Sequence, residues 1–211
     1  MSKKKPKGKS NSMKIAIVAI LIIFLASGVL VALSGLFSSP SQQPTVQQTS
    51  QEVAVIETNI GAMVFKFRPE VAPKTVENFK KLANSGFYNG TKFHRVIPDF
   101  MIQGGDPNSR SSDRSTHGMG GPGYNVPAEF SSISHKRGIV SMARRGDDIN
   151  SAGSQFFIVV KDSTFLDGQY TIFGEVTQGM DVVDKIVNVK SDGNDNPIDP
   201  VIINRVYIKQ G

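Results

Sequence analysis

Residues 93–106, Phe93-His94-Arg95-Val96-Ile97-Pro98-Asp99-Phe100-Met101-Ile102-Gln103-Gly104-Gly105-Asp106, constrain the fold more than any other stretch of the chain. Two short runs, Lys92 to Ile97 and Asp99 to Gln103, have the composition of half-buried strands. Pro98 separates them. It has no N–H to give a central ladder, so it marks a bend or bulge, and Gly104-Gly105-Asp106-Pro107 ends the second run. Along a strand, Asp99, Met101 and Gln103 share one face and Phe100 and Ile102 the other, unless a bulge or strong twist brings Phe100 round. Arg95 lies just before the bend. An arginine beside large apolar side chains and an uncharged amide offers no nucleophile and no base that titrates near neutral pH, which argues against hydrolysis. The same set of groups can hold and polarise a peptide bond.

The rest of the chain divides by composition. Residues 1–14 form a basic tail in which Lys3, Lys4, Lys5, Lys7, Lys9 and Lys14 precede any acidic residue. These six carry the whole net charge of +6, leaving 18 basic against 18 acidic groups in the remainder. Without a basic excess there, the footprint of a nucleic-acid binder is missing. Residues 15–37 are 23 uncharged, mostly apolar residues; as a helix they would span roughly 35 Å, enough for a hydrocarbon core of about 30 Å. The stretch is read as a single transmembrane signal-anchor helix, with the lysine side cytoplasmic and the rest of the chain outside. A cleaved signal peptide is the alternative, which would leave the domain secreted, but its apolar core usually runs only about 7 to 15 residues. Residues 38–51 are polar and uncharged and read as a disordered linker reaching roughly 20 Å. Residues 52–211 form the domain.

Within that domain, Val53–Thr58 and Ala62–Phe67 read as a hairpin joined through Asn59-Ile60-Gly61. A helix follows from Pro73 or Lys74 to about Asn84, with Val76, Phe79, Leu82 and Ala83 on one face and Gly86 past its end. After the strands already described, residues 107–127 make a long glycine-rich loop of the kind that serves a site. Gly138–Ala143, Gln155–Val160, Tyr170–Val176 and Val201–Ile208 read as strands, and Met180, Val183, Ile186 and Val187 mark a second helix. Many short strands, two separated helices and no βαβ alternation indicate an all-β domain built on a closed antiparallel barrel.

The stretch from Phe93 to Asp106 resembles the signature of the cyclophilin peptidyl-prolyl isomerases. The resemblance continues through Gly138-Ile139-Val140-Ser141-Met142-Ala143, Ser154-Gln155-Phe156-Phe157-Ile158 and Phe165-Leu166-Asp167-Gly168, and covers residues 53–209. Four motifs in order make a specific match, to a prokaryotic-looking member with an N-terminal membrane anchor. It implies a closed eight-stranded antiparallel β-barrel capped by a helix at each end, and rotation about X-Pro bonds of extracytoplasmic proteins. On that reading Arg95, Phe100 and Gln103 are catalytic. Arg95 faces the turning bond, Gln103 holds the substrate backbone, and Phe100, Met101, Phe157 and Leu166 grip the proline ring. The resemblance adds Ala143, Arg144, Gln155, Phe165 and Tyr170 as substrate-groove positions. Two departures stand out: Phe165 occupies a position that is tryptophan in many eukaryotic members, and Tyr170 one that is often histidine.

His94, His117 and His135 match no metal-ligand spacing, no G-x-S-x-G serine motif occurs, and the chain has no cysteine. His94, alternating with Arg95, is expected to face the other side of the strand as a hydrogen-bonded structural residue. No cofactor is implied, and a monomer that binds proline-containing polypeptides is expected. Two rival readings remain: a proline-peptide-binding chaperone or scaffold that does not need Arg95, and a surface adhesin using the loop 144–153.

Overall fold

The structure, a computed structural model, describes residues 51–211. The basic tail, the membrane helix expected over 15–37 and the linker expected up to residue 50 lie outside the described residues, among which no helix is long and apolar enough to cross a membrane.

Eight strands and two α-helices make up the domain: β1 Glu52–Thr58, β2 Ala62–Phe67, α1 Pro73–Asn84, β3 Arg95–Ile97, β4 Met101–Gly104, β5 Ile139–Met142, β6 Phe156–Val159, β7 Ile172–Gln178, α2 Met180–Val187 and β8 Ile203–Gln210. All strand pairs are antiparallel, in the order β3-β4-β6-β5-β7-β2-β1-β8. This corrects the expected closed barrel, because β3 and β8 are sheet edges and the eight strands form a half-barrel. β3 is only three residues long, too short to build a ladder across the gap. The seam is stitched instead by isolated bonds, Phe93 N–H to the Val201 carbonyl (2.9 Å), Gly90 N–H to Ile203 (2.8 Å) and Val96 N–H to Asp195 (2.8 Å).

One buried cluster fills the inside of the sheet. Phe65, Phe67, Phe79, Tyr88, Phe93, Phe156 and Phe173 are its largest members, and most meet edge to face at centroid distances such as 5.3 Å for Phe65 and Phe79. Both helices add their apolar faces to it: Val76, Phe79, Leu82 and Ala83 from α1, and Val182, Val183, Ile186 and Val187 from α2. The proline expected near the helix start is Pro73, at the first helical turn, where its missing N–H removes no intrahelical bond.

Candidate active site

A second, separate cluster lies on the outer face of the same sheet, and strand alternation explains why there are two. In register, Arg95 faces Gln103, Gln103 faces Phe157 and Phe157 faces Ser141. Two residues along, Ile97 faces Met101 and Met101 faces Val159. These positions share one face, whereas Val96, Ile102, Phe156, Ile158, Val140 and Met142 point into the inner core. The outer cluster is Met101, Ile139, Phe157, Val159, Leu166 and Ile172, with Ile97, Phe100, Ala143 and Tyr170 packed around it.

Phe100 joins this face because it precedes β4 rather than lying within it. Phe100 N–H closes a turn onto the Ile97 carbonyl (3.1 Å) with Asp99 at φ 60°. Pro98 and a positive-φ residue after it suit such a turn. So the bend predicted at Pro98 is present, and it brings Phe100 round to the side of Met101. Phe165 leans on Phe100 at 5.5 Å between centroids and stays 65% exposed, forming the rim. Phe157 forms the floor, and Tyr170 meets its edge at 5.7 Å.

The polar wall starts at Arg95. Its Nη1 lies 3.5 Å from Gln103 Oε1, and Gln103 Nε2 donates to Gln155 Oε1 at 2.9 Å. Gln155 Nε2 in turn donates to the carbonyls of Gly118 (2.9 Å) and Gly120 (2.8 Å). The amides of those glycines are held from behind by the fully buried Asp106 carboxylate, which accepts from Gly118, Gly120 and Asn108. Arg95 itself remains on the surface, in a half-exposed ion pair with Asp195. Beyond Gln103 and Gln155 the wall opens into a cavity of about 650 Å³ bordered by Met119, Tyr124, Ala143 and Arg145. Arg144 folds its side chain over the Tyr170 ring (4.7 Å) and onto the Gln169 carbonyl (3.0 Å). The Arg144 peptide N–H and C=O have no partner among the described residues.

The structure therefore brings together all eleven residues singled out in the sequence. Some participants were not singled out. Ile139, Val159 and Ile172 complete the floor, but β5 and β6 are buried on both faces, so their apolar runs carried no alternation to separate inside from outside. Asp106 read only as a turn residue, because its partners lie 12 and 14 positions away. His94 lies on the other side of the strand from Arg95 as expected and is buried, but neither ring nitrogen makes a hydrogen bond of good geometry, the Lys92 main chain offering only a poorly aligned one. Burial, only partly offset by the Asp106 carboxylate, lowers its pKa to about 4.

Behind Phe157 sits an arrangement that imitates a hydrolytic triad. His135 Nδ1 is 2.9 Å from Asp167 Oδ1, and its Nε2 is 3.2 Å from Ser141 Oγ. Ser141 is fully buried, and its hydroxyl also lies 2.8 Å from the Thr171 carbonyl, so no acyl group can reach it. The imidazole stacks on Phe157 at 6.2 Å and supports the floor. Hydrogen bonds from Ser134, the His135 amide and the His135 ring hold the Asp167 carboxyl down at about 2.

The outer face thus sets a half-exposed cation beside an apolar recess, and the Ser141 hydroxyl behind it is sealed from an acyl group. The family described as cyclophilin type peptidyl-prolyl cis-trans isomerase/CLD matches residues 53–208. The chain belongs to that family and is a cyclophilin-type peptidyl-prolyl cis-trans isomerase. It is 42% identical over 158 residues to the mouse peptidyl-prolyl cis-trans isomerase-like 1, covering 72% of this chain and 89% of the relative. Against the isomerase-like 2 protein of Gibberella zeae it is 40% identical over 155 residues, 74% of this chain, but spans only 26% of that much longer relative. Among solved structures, a Cryptosporidium parvum cyclophilin-type isomerase crystallised in the presence of the dipeptide Ala-Pro superposes with a TM-score of 0.69 at 35% identity, over 75% of this chain and 99% of that one.

Proposed function

We propose that the outer-face recess takes the proline ring of an X-Pro segment and that Arg95 stabilises the half-turned bond, in client proteins that fold outside the cytoplasm. Rotation about an amide costs about 18 to 20 kcal/mol, whereas the two X-Pro isomers differ by only about 0.5 to 1 kcal/mol. The catalyst must therefore favour the twisted state. In that state resonance is lost and electron density returns to the prolyl nitrogen, so a fixed guanidinium aimed there binds the twisted form more tightly than either planar one. A 10⁵-fold acceleration requires about 7 kcal/mol of such preference.

The observation that carries this reading is the row Arg95, Gln103, Phe157 across β3, β4 and β6, which sets the cation and the amide beside the apolar floor. Phe100, Met101 and Leu166 complete the grip on the ring, with Phe165 and Tyr170 at the rim. The unpartnered main chain of Arg144 and the cavity next to Ala143 and Gln155 accommodate the residues before the proline. For the location of the clients, support comes from the sequence alone, in the apolar run 15–37 and the lysines before it.

The test is a protease-free tetrapeptide isomerisation assay on the full chain in detergent, native against Arg95→Ala. The expected loss is about 10²- to 10³-fold in kcat/KM, the scale of removing one transition-state donor. Equal rates in the two proteins would leave a proline-peptide-binding module instead.

A further inference from the structure

Asp195 meets Arg95 from a different side than Gln103 does. Its Oδ2 lies 3.6 Å from Arg95 Nε, while Gln103 Oε1 lies 3.5 Å from Nη1. Nη2 has no hydrogen-bond partner among the described residues. Asp195 also has an unusual backbone. With Asp99 it is one of two non-glycine residues in the described part of the chain with positive φ, here 62°. A side chain enters that region at a cost glycine avoids, and such residues persist where the surrounding structure holds them.

The surroundings do hold it. The Asp195 carbonyl accepts from Val96 N–H (2.8 Å), the residue next to Arg95, and the Asp195 amide donates to the Asp192 carbonyl (3.1 Å). The Asp192 carboxylate caps Asn194 and Asn196 amides at 2.9 and 3.1 Å, and Arg114 ties both Asp192 (3.5 Å) and Asn196 Oδ1 (2.8 Å) into the same loop. Both members of the Arg95–Asp195 pair are nearly half exposed, at 44% and 45%. Pairs of that kind add little to stability, so the energy of the ion pair does not by itself account for a carboxylate at this place.

We propose that Asp195 is a positioning residue for the isomerisation, pinning Arg95 by Nε while Gln103 steadies Nη1, so that Nη2 is left aimed at the bound peptide. This rests on the reading of Arg95 as the group that faces the turning bond. A long, rotatable side chain otherwise spreads its charge over many conformers, and each misplaced conformer forfeits part of the transition-state interaction. At high dielectric the half-exposed carboxylate neutralises little of the guanidinium's effect on a substrate that closes over the other side.

The experiment measures kcat, KM and Tm for Asp195→Asn and Asp195→Gly in the full chain, each with Arg95 present and in the Arg95→Ala background. Asparagine keeps the shape and tolerates the positive φ, whereas glycine removes the backbone strain along with the carboxylate. Both variants are expected to lower kcat/KM about tenfold through kcat, with KM within about twofold. Tm of the glycine variant should stay level or rise, and neither change should add to the loss already caused by Arg95→Ala. Activity within twofold of native in both variants overturns the inference, as does an equal tenfold loss in the Arg95→Ala background or a fall in Tm that accompanies the loss in both. A native chain that fails to isomerise, or an Arg95→Ala chain that keeps the native rate, removes the reading of Arg95 and this inference with it; a sensitive Arg95 with insensitive Asp195 removes the inference alone.

Discussion

His94 and Arg95 are neighbours in sequence and opposites in environment, because alternation along the strand sends one inward and leaves the other at the surface. The buried imidazole is the more sensitive of the two to acid. Its ordinary pKa near 6.5 falls to about 4, chiefly through burial, with His117 and Arg95 pushing the same way and Asp106 opposing. Between those values the unfolded chain binds a proton that the folded chain refuses, so stability is lost as pH falls from about 6.5 towards 4. The full effect of that shift is about 3 kcal/mol. Urea unfolding at pH 7 and pH 4.5 should show it: His94→Leu is expected to cut the loss between those two conditions by about 2 kcal/mol relative to native. Asp167 behaves differently, since its carboxyl is held down to about 2. Its contribution is present above the usual carboxylate range and disappears only between about pH 4 and pH 2. An identical pH dependence in native and His94→Leu would show that the ring titrates normally in the fold.

Helix α1 shows what local pattern reveals and what it hides. Its apolar spacing and Pro73 placed it correctly from the sequence, to within a residue at either end. Its cap was not legible. Ala72 offers no side-chain bond, and the exposed amides of Lys74 and Thr75 are satisfied by Glu129, at 3.1 and 2.9 Å, with Thr75 Oγ1 adding a third bond at 2.8 Å. The partner is 54 to 55 residues away, beyond any motif. A carboxylate at a helix N-terminus is favoured by the helix dipole as well as by hydrogen bonding. Glu129→Ala is therefore expected to cost about 1 to 2 kcal/mol, lowering Tm by several degrees in a thermal melt while kcat/KM stays near native; an unchanged Tm would mean water caps the helix equally well. The strands divide in the same manner. The β3–β4 hairpin was readable from Pro98 and the double glycine, since turn chemistry is local. The assignment of β5 and β6 side chains to two different clusters was not, because runs such as Phe156–Val159 are buried on both sides and show no period.

At the scale of the molecule, the expected barrel opened into a half-barrel because closure depends on a long-range pairing that a three-residue edge strand cannot make. The face proposed to carry the isomerisation runs across the short strands β3, β4, β6 and β5, with β3 at that seam. The long strands β7, β2, β1 and β8, which make up the other half of the sheet, supply the stability behind it. β1 pairs along its whole length with β8 and over five residues with β2, and Gly211 N–H reaches the Gln51 carbonyl at 3.0 Å. Every residue assigned to the recess, the polar wall and the Asp195 brace lies between positions 94 and 196. A chain starting at residue 51 should therefore isomerise with kcat/KM within about twofold of the full chain, while one starting at residue 60 loses β1, exposes two strand edges and should fail to fold. Circular dichroism and the tetrapeptide assay check both outcomes; a large loss in the longer fragment would mean that residues before 51 contribute to the site. The same boundary makes the location testable, because residues 38–50 separate the domain from the apolar run. Protease added to intact cells should release an active fragment beginning near residue 51, and a domain that stays protected until the cells are lysed would place it on the cytoplasmic side.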